Sequence, residues 1–127
     1  MPTPRHLLAS VALLLVFGCV APAANPNTIF DISKVTVQPQ VTSPARPQYP
    51  LVLRVRMISG ETLIHLVVRR DGSVTDVRVV RATDPLFGIA AAKAVAQWVY
   101  RPALLDGRPV NCALEVPIVF TVRNVSQ

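Results

Sequence analysis

The sequence predicts an α+β domain: a small three-stranded antiparallel sheet, in the order second–first–third, with one helix packed on one face. Three stretches carry this expectation. Gly60–Arg81 (GETLIHLVVRRDGSVTDVRVVR) sets two runs of β-branched and aliphatic residues on either side of Asp71-Gly72, a pair that tolerates the positive φ angles of a tight hairpin turn. Asp84-Pro85 then opens an alanine-rich segment with helical spacing. Beyond it, Val110, Cys112, Leu114, Val116, Ile118, Phe120 and Val122 alternate without a fault, as a long strand with one buried face does.

If Asp71 and Gly72 form the hairpin loop, Arg70 faces Ser73 and the cross-strand pairs follow. Ile64 meets Val79, Leu66 meets Val77 and Val68 meets Thr75 on a mostly apolar face. Leu63 meets Val80, His65 meets Arg78 and Val67 meets Asp76 on a mixed one. A half-buried antiparallel sheet needs this separation.

In the helix, Gly88 is a second candidate cap, and Ala91, Val95, Trp98 and Val99 form an apolar stripe at i, i+4, i+7 and i+8. Its alanines let it sit close to a sheet. Trp98 is expected to be the main core aromatic, and Pro102 to stop the helix, with residues 98–102 already leaving helical geometry. Asp106-Gly107-Arg108-Pro109 reads as a turn into the last strand. Because the helix returns the chain to its starting end, the last strand runs parallel to the second and pairs antiparallel with the first. Pro117 cannot donate to a ladder, so this strand should be an edge with an open side.

Ahead of the hairpin, residues 1–24 read as a signal peptide or a short signal anchor. Arg5 and His6 precede the apolar run Leu7–Phe17, which is shorter than the roughly 20 apolar residues of a comfortable membrane span. Two processing patterns fit. Val16-Phe17-Gly18-Cys19 has the form of a lipobox, which makes Cys19 a candidate lipidation site, and Ala21-Pro22-Ala23 offers an A-x-A cleavage site. The leader therefore predicts export, with the chain free, lipid-anchored through Cys19 or held by an uncleaved leader. Residues 25–47 form a Pro-rich spacer, with Pro26, Pro39, Pro44 and Pro47 among polar residues, and residues 48–127 form the domain. Within the spacer, Thr28–Val37 has strand character and either adds to a sheet edge or lies along the surface. Cys112, in the last strand, reads as a buried, inert thiol.

Hydrophobic residues make up 51% of the chain and charged ones 16%, a balance that argues against disorder. The net charge of +6 permits attraction to anionic partners. Nucleic-acid binding on a sheet also needs aromatic platforms, and the open face around Leu63, His65, Val67, Arg78 and Val80 has none. His65 has no Cys, Glu or second His at ligand spacing, so no metal site is expected. Asp71 and Asp76 read as a turn residue and a face residue rather than an acid–base pair. With no nucleophile motif and no Gly-rich phosphate loop, neither catalysis nor a cofactor is expected.

Six short motifs occur in order: Gln48-Tyr49-Pro50 with Ile58-Ser59-Gly60-Glu61, Asp71-Gly72, Val77–Arg81, Trp98–Ala103, Asp106–Val110 and Val116–Phe120. Together they resemble the TonB C-terminal domain over residues 48–123. The resemblance implies a small antiparallel sheet with helices on one face, in a periplasmic module that couples inner-membrane energy to outer-membrane receptors. It implies that a receptor's N-terminal peptide adds as a strand to the last edge. Carried over, that edge comprises Asn111, Ala113, Glu115, Pro117, Val119, Thr121 and Arg123. The implied partners are the receptor peptide, the inner-membrane proton-driven motor if the leader is retained, and a second copy of the chain in a homodimer. The alternative is a lipoprotein-like interaction module that uses the same edge without a motor.

Overall fold

The computed structural model describes residues 25–122. In chain order the elements are β1 (Ile29–Asp31), a single 3₁₀ turn (Ile32–Lys34), β2 (Gln40–Ser43), α1 (Leu51–Val55), β3 (Gly60–Val68) and β4 (Val74–Ala82). There follow α2 (Pro85–Val95), β5 (Val99–Arg101), β6 (Ala103–Leu105) and β7 (Arg108–Phe120). The expected order of the three main strands holds: β3 lies between β4 and β7 and is antiparallel to both.

The sheet is nevertheless larger than the three strands expected. β1 adds in parallel to β7, β6 pairs with the start of β7, and β2 pairs with β5 in a separate two-stranded sheet. Two of these strands lie in the segment read as spacer. The prolines at 26, 39 and 44 fall just outside β1 and β2, so they bracket the pairing segments rather than interrupt them. The strand character of Thr28–Val37 thus resolves into β1, plus a single bridge from Val37 to Leu104.

The hairpin keeps its expected centre and changes at its ends. Ile64–Val79 and His65–Arg78 pair as the Asp71-Gly72 turn requires. The turn itself holds three residues rather than two. Arg69 N–H donates to Ser73 O at 2.8 Å, Gly72 N–H donates to Arg69 O at 2.8 Å, and Gly72 has φ +88°. Asp71 Oδ1 accepts from the Ser73 hydroxyl at 2.6 Å and the Ser73 N–H at 2.9 Å, and these bonds hold its carboxyl below the usual range. The extra loop residue shifts the ladder by one. A bulge at Asp76, whose φ is +52°, shifts it back. Val67 therefore pairs with Thr75 and Val68 with Val74, not with Asp76 and Thr75.

α2 starts as expected, with Asp84 accepting from Leu86 N–H at 2.9 Å and Pro85 in the first turn. Gly88 is not a cap; it lies in the helix against Val79, where a Cβ would come within 3.2 Å of Cγ1. The helix buries Phe87, Ala91, Ala94 and Val95 over Ile64, Leu66 and Val68. Trp98 is not the main core aromatic. Helical geometry ends before it, so the indole is only half-buried; it donates Nε1–H to Ala45 O at 2.8 Å and tilts against Tyr100. Val99, the last member of the expected stripe, is exposed in β5. The aromatic centre is Phe87 stacked on Phe120 at 4.6 Å, with Tyr49 edge-on to both at 5.5 and 5.6 Å. The Tyr49 hydroxyl donates to Ile58 O. Gly60 lets Phe87 approach this closely, because a Cβ there would lie 2.6 Å from the ring.

Candidate functional site

Backbone parity fixes what β7 offers on its outer side. Glu61 and Arg69 of the first hairpin arm turn their peptide groups toward β4, since Thr83 N–H donates to Glu61 O at 2.9 Å and Arg69 N–H to Ser73 O. Peptide groups alternate along an antiparallel strand, so Thr62, Ile64 and Leu66 face β7, and their partners Ile118, Val116 and Leu114 face back. Asn111, Ala113, Glu115, Pro117 and Val119 consequently point their backbone groups away from β3. Pro117 lies in this outward set, where its missing N–H leaves the β3 ladder intact.

The expectation of an open edge from Asn111 onward is corrected for its first part. β1 pairs in parallel there, Ile29 with Asn111, Phe30 with Cys112 and Asp31 with Ala113. Asn111 fastens this arrangement. Its side chain is 1% exposed; Oδ1 accepts from Arg70 N–H at 2.9 Å, and Nδ2 donates to Pro26 O at 2.9 Å and Thr28 O at 3.4 Å. One buried amide thus joins the hairpin end, the N-terminal segment and β7. Asp31 ends β1 by capping the 3₁₀ turn, accepting from Ser33 N–H at 2.9 Å and Ser33 Oγ–H at 2.7 Å. The backbone bond, then the hydroxyl bond, keeps the Asp31 carboxyl below its ordinary range. The turn carries the chain away from β7.

Past Ala113, no strand among the described residues pairs with the outer side of β7. Glu115, Pro117 and Val119 are exposed there, Val119 to 68%, while Ile118 and Phe120 are buried in the core. The open stretch begins at a recess lined by Asp31, Ile32, His65, Ala113, Leu114 and Glu115. Thr121 is exposed one residue beyond the strand, and Val122 N–H donates to Ser59 Oγ at 3.1 Å. Arg123 and Cys19 lie outside the described residues.

His65 Nε2 lies 3.4 Å from Asp76 Oδ2, and Asp76 Oδ1 lies 3.3 Å from Arg78 Nε. Cys112 is fully buried and has no disulfide partner among the described residues, and burial, helped by the Asp31 carboxylate, pushes its thiol up. Burial likewise pushes the Tyr100 phenol up to about 12. Among the described residues, no cluster of three or more His, Cys, Asp or Glu could hold a metal, and no helix is long and apolar enough to cross a membrane.

A sequence model of the Gram-negative bacterial TonB protein C-terminal family matches residues 45–122, more than half of the chain. The chain belongs to this family. It is 30% identical to a TonB protein of Helicobacter pylori over 105 residues, covering 81% of this chain and 34% of that protein. A TonB protein of Vibrio cholerae is 27% identical over 81 residues, covering 63% of this chain and 33% of that one. The chain therefore spans about a third of the length of these curated relatives. In fold, this TonB C-terminal domain is similar to that of Pseudomonas aeruginosa TonB, with a TM-score of 0.52 at 21% identity over 70% of this chain and 89% of that one. It is also similar to the TonB2 protein from Vibrio anguillarum, with a TM-score of 0.53 at 20% identity over 80% and 87% of the two chains.

The roles of two residues at the edge escaped sequence reasoning: Asn111 was read as an open edge position rather than a buried bridge, and Asp31 was not singled out. Asn111 did leave a signal: it is a lone amide beside the apolar positions of an alternating strand, where a polar group needs partners. Asp31 left a weaker one, an Asp two residues before Ser in an otherwise strand-like run.

Proposed function

We propose that this domain acts in the periplasm as a TonB-like, non-enzymatic coupling module that captures an extended receptor peptide on the outer side of β7, from Glu115 to Val119. The carrying observation is the unpaired outer side of β7 past Ala113, with outward backbone groups at Glu115, Pro117 and Val119. Family membership supports the choice of partner, a segment of an outer-membrane receptor. This stretch offers two N–H donors and three carbonyls. At ~0.5–1.5 kcal/mol per hydrogen bond, less the cost of ordering the peptide, affinity should be weaker than about 1 μM. Specificity then falls to side chains. The recess beside Asp31 and Glu115 suits a basic residue of the peptide.

Val119→Pro removes an outward N–H without touching the β3 ladder, so it should weaken peptide binding while leaving the fold intact. Thr121→Ala, beyond the strand, should change little. The check is an NMR titration of labelled protein with synthetic peptides copying receptor N-terminal segments. Amide shifts should concentrate on residues 114–120. Shifts confined to the Asp71-Gly72 turn would refute edge binding.

A second reading is a membrane-tethered interaction module that uses the same edge without a motor. One observation favours it: β1 and β2 draw residues 29–43 onto the domain, which shortens the reach of the presumed spacer. Mass spectrometry of the mature N-terminus separates the two. An intact leader supports the motor-coupled reading, and a diacylated Cys19 supports the module.

A further inference from the structure

α1 buries one side chain and exposes the rest. Leu53 is 3% exposed, whereas Leu51 is 72%, Val52 56%, Val55 73% and Met57, just beyond the helix, 55% exposed. Leu86 and Ile89 on the nearby face of α2 extend the apolar surface to 41% and 55% exposure. Scattered exposed aliphatics are ordinary; a contiguous set on one short element is not. Four exposed cations, Arg46, Arg54, Arg56 and Lys93, accompany it, and none makes an ion pair among the described residues. From Ile32 to Gly60 the chain contains no Asp or Glu.

The helix end adds an independent observation. Ile58 N–H donates to Leu53 O at 2.9 Å and Met57 N–H to Arg54 O at 3.1 Å, closing the helix in the manner of a Schellman cap. The left-handed position of that cap, usually glycine, is Met57 with φ +60°. The protein therefore keeps a strained, unbranched apolar side chain projecting into solvent where glycine would be more stable.

We propose that this apolar and basic face is a peripheral membrane-binding surface that rests on anionic phospholipid, with Leu51, Val52, Val55 and Met57 entering the headgroup boundary and the four cations engaging lipid phosphates. Charge complementarity selects the occupant: free cations around aliphatic side chains are what an anionic bilayer surface attracts. Chain length supplies proximity. Only nine residues lie between Cys19 and Ile29, where β1 is already fixed to the domain. A lipid on Cys19 would hold the domain within roughly 35 Å of the bilayer. This face is separate from the β7 edge, so its test can fail without touching the peptide-binding reading.

The test is hydrogen exchange, read by mass spectrometry, on the full chain reconstituted in vesicles of phosphatidylethanolamine with phosphatidylglycerol or of phosphatidylcholine alone. Residues 51–58 should exchange about tenfold more slowly in the anionic vesicles, with residues 74–82 unchanged. Each cation near such a surface is worth roughly fivefold in partitioning. Arg54→Glu combined with Arg56→Glu should therefore abolish the protection while exchange in β3 and β7 stays native. Met57→Gly should raise thermal stability yet reduce the protection, which a purely structural role for Met57 would not do. Equal exchange of residues 51–58 in both vesicle types, or protection that survives charge reversal, would overturn the proposal. So would protection produced by an added soluble protein without lipid.

Discussion

Two glycines with similar left-handed backbones separate local strain from tertiary contact at the residue scale. Gly72 has φ +88° and Gly107 has φ +82°. A Cβ on Gly107 meets nothing within 4 Å, but one on Gly72 would lie 2.2 Å from Tyr100 O. The close approach exists because Tyr100 N–H donates to Gly72 O at 2.9 Å, docking the hairpin turn on β5. Alanine at either site should cost ~1–2 kcal/mol for the left-handed conformation. Gly72→Ala should cost more, about 3 kcal/mol in all, because the turn must also leave β5. Urea denaturation of the two variants checks this. Equal losses would mean that the turn–β5 contact contributes nothing to stability.

At the scale of elements, the hairpin, the cap of α2 and the alternation of β7 were legible in the sequence because each rests on local chemistry. Asp71-Gly72, Asp84-Pro85 and the period-two run from Val110 act within a few residues of themselves. The bulge at Asp76 was not legible, because it answers a turn of three residues where Asp71-Gly72 suggests a two-residue loop. The aromatic centre was misplaced for a similar reason. Trp98 continues the helical stripe only if the helix continues, whereas Phe87, one turn into α2, points at Phe120 and Tyr49 from other elements. Phe87→Ala should therefore cost ~3–5 kcal/mol, as a fully buried aromatic does. The half-exposed Trp98, losing packing and one hydrogen bond to Ala45 O, should cost less when replaced by alanine, ~1–3 kcal/mol. Chemical denaturation orders the two. A larger loss at Trp98 would place the core anchor on the indole after all.

For the whole molecule, the decisive feature is how much of β7 the chain's own N-terminal segment occupies. The outward parity of Glu115, Pro117 and Val119 was readable from Pro117 and the alternation, but the capture of Asn111 and Ala113 by β1 was not. Composition marked residues 25–47 as spacer, and the strand character of Thr28–Val37 left open an added edge strand without saying which edge three residues would find. The pairing is short, so its persistence depends on side-chain support, and Asn111 supplies it through Pro26 O and Thr28 O. Removing that amide in Asn111→Ala leaves buried carbonyls and the Arg70 N–H without their partner, at a cost of ~1–3 kcal/mol. If the cost falls on local opening rather than on global stability, residues 25–31 should exchange their amides roughly 5- to 150-fold faster. Exchange near Arg70 should rise as well, while the β3 core holds its protection. Freed of β1, the outer side of β7 would be open from Asn111, and peptide-induced shifts should extend from residues 114–120 back to 111–113. Faster exchange at Arg70 with residues 25–31 unchanged would show that Asn111 serves the hairpin alone, and that β1 holds its place on β7 without it.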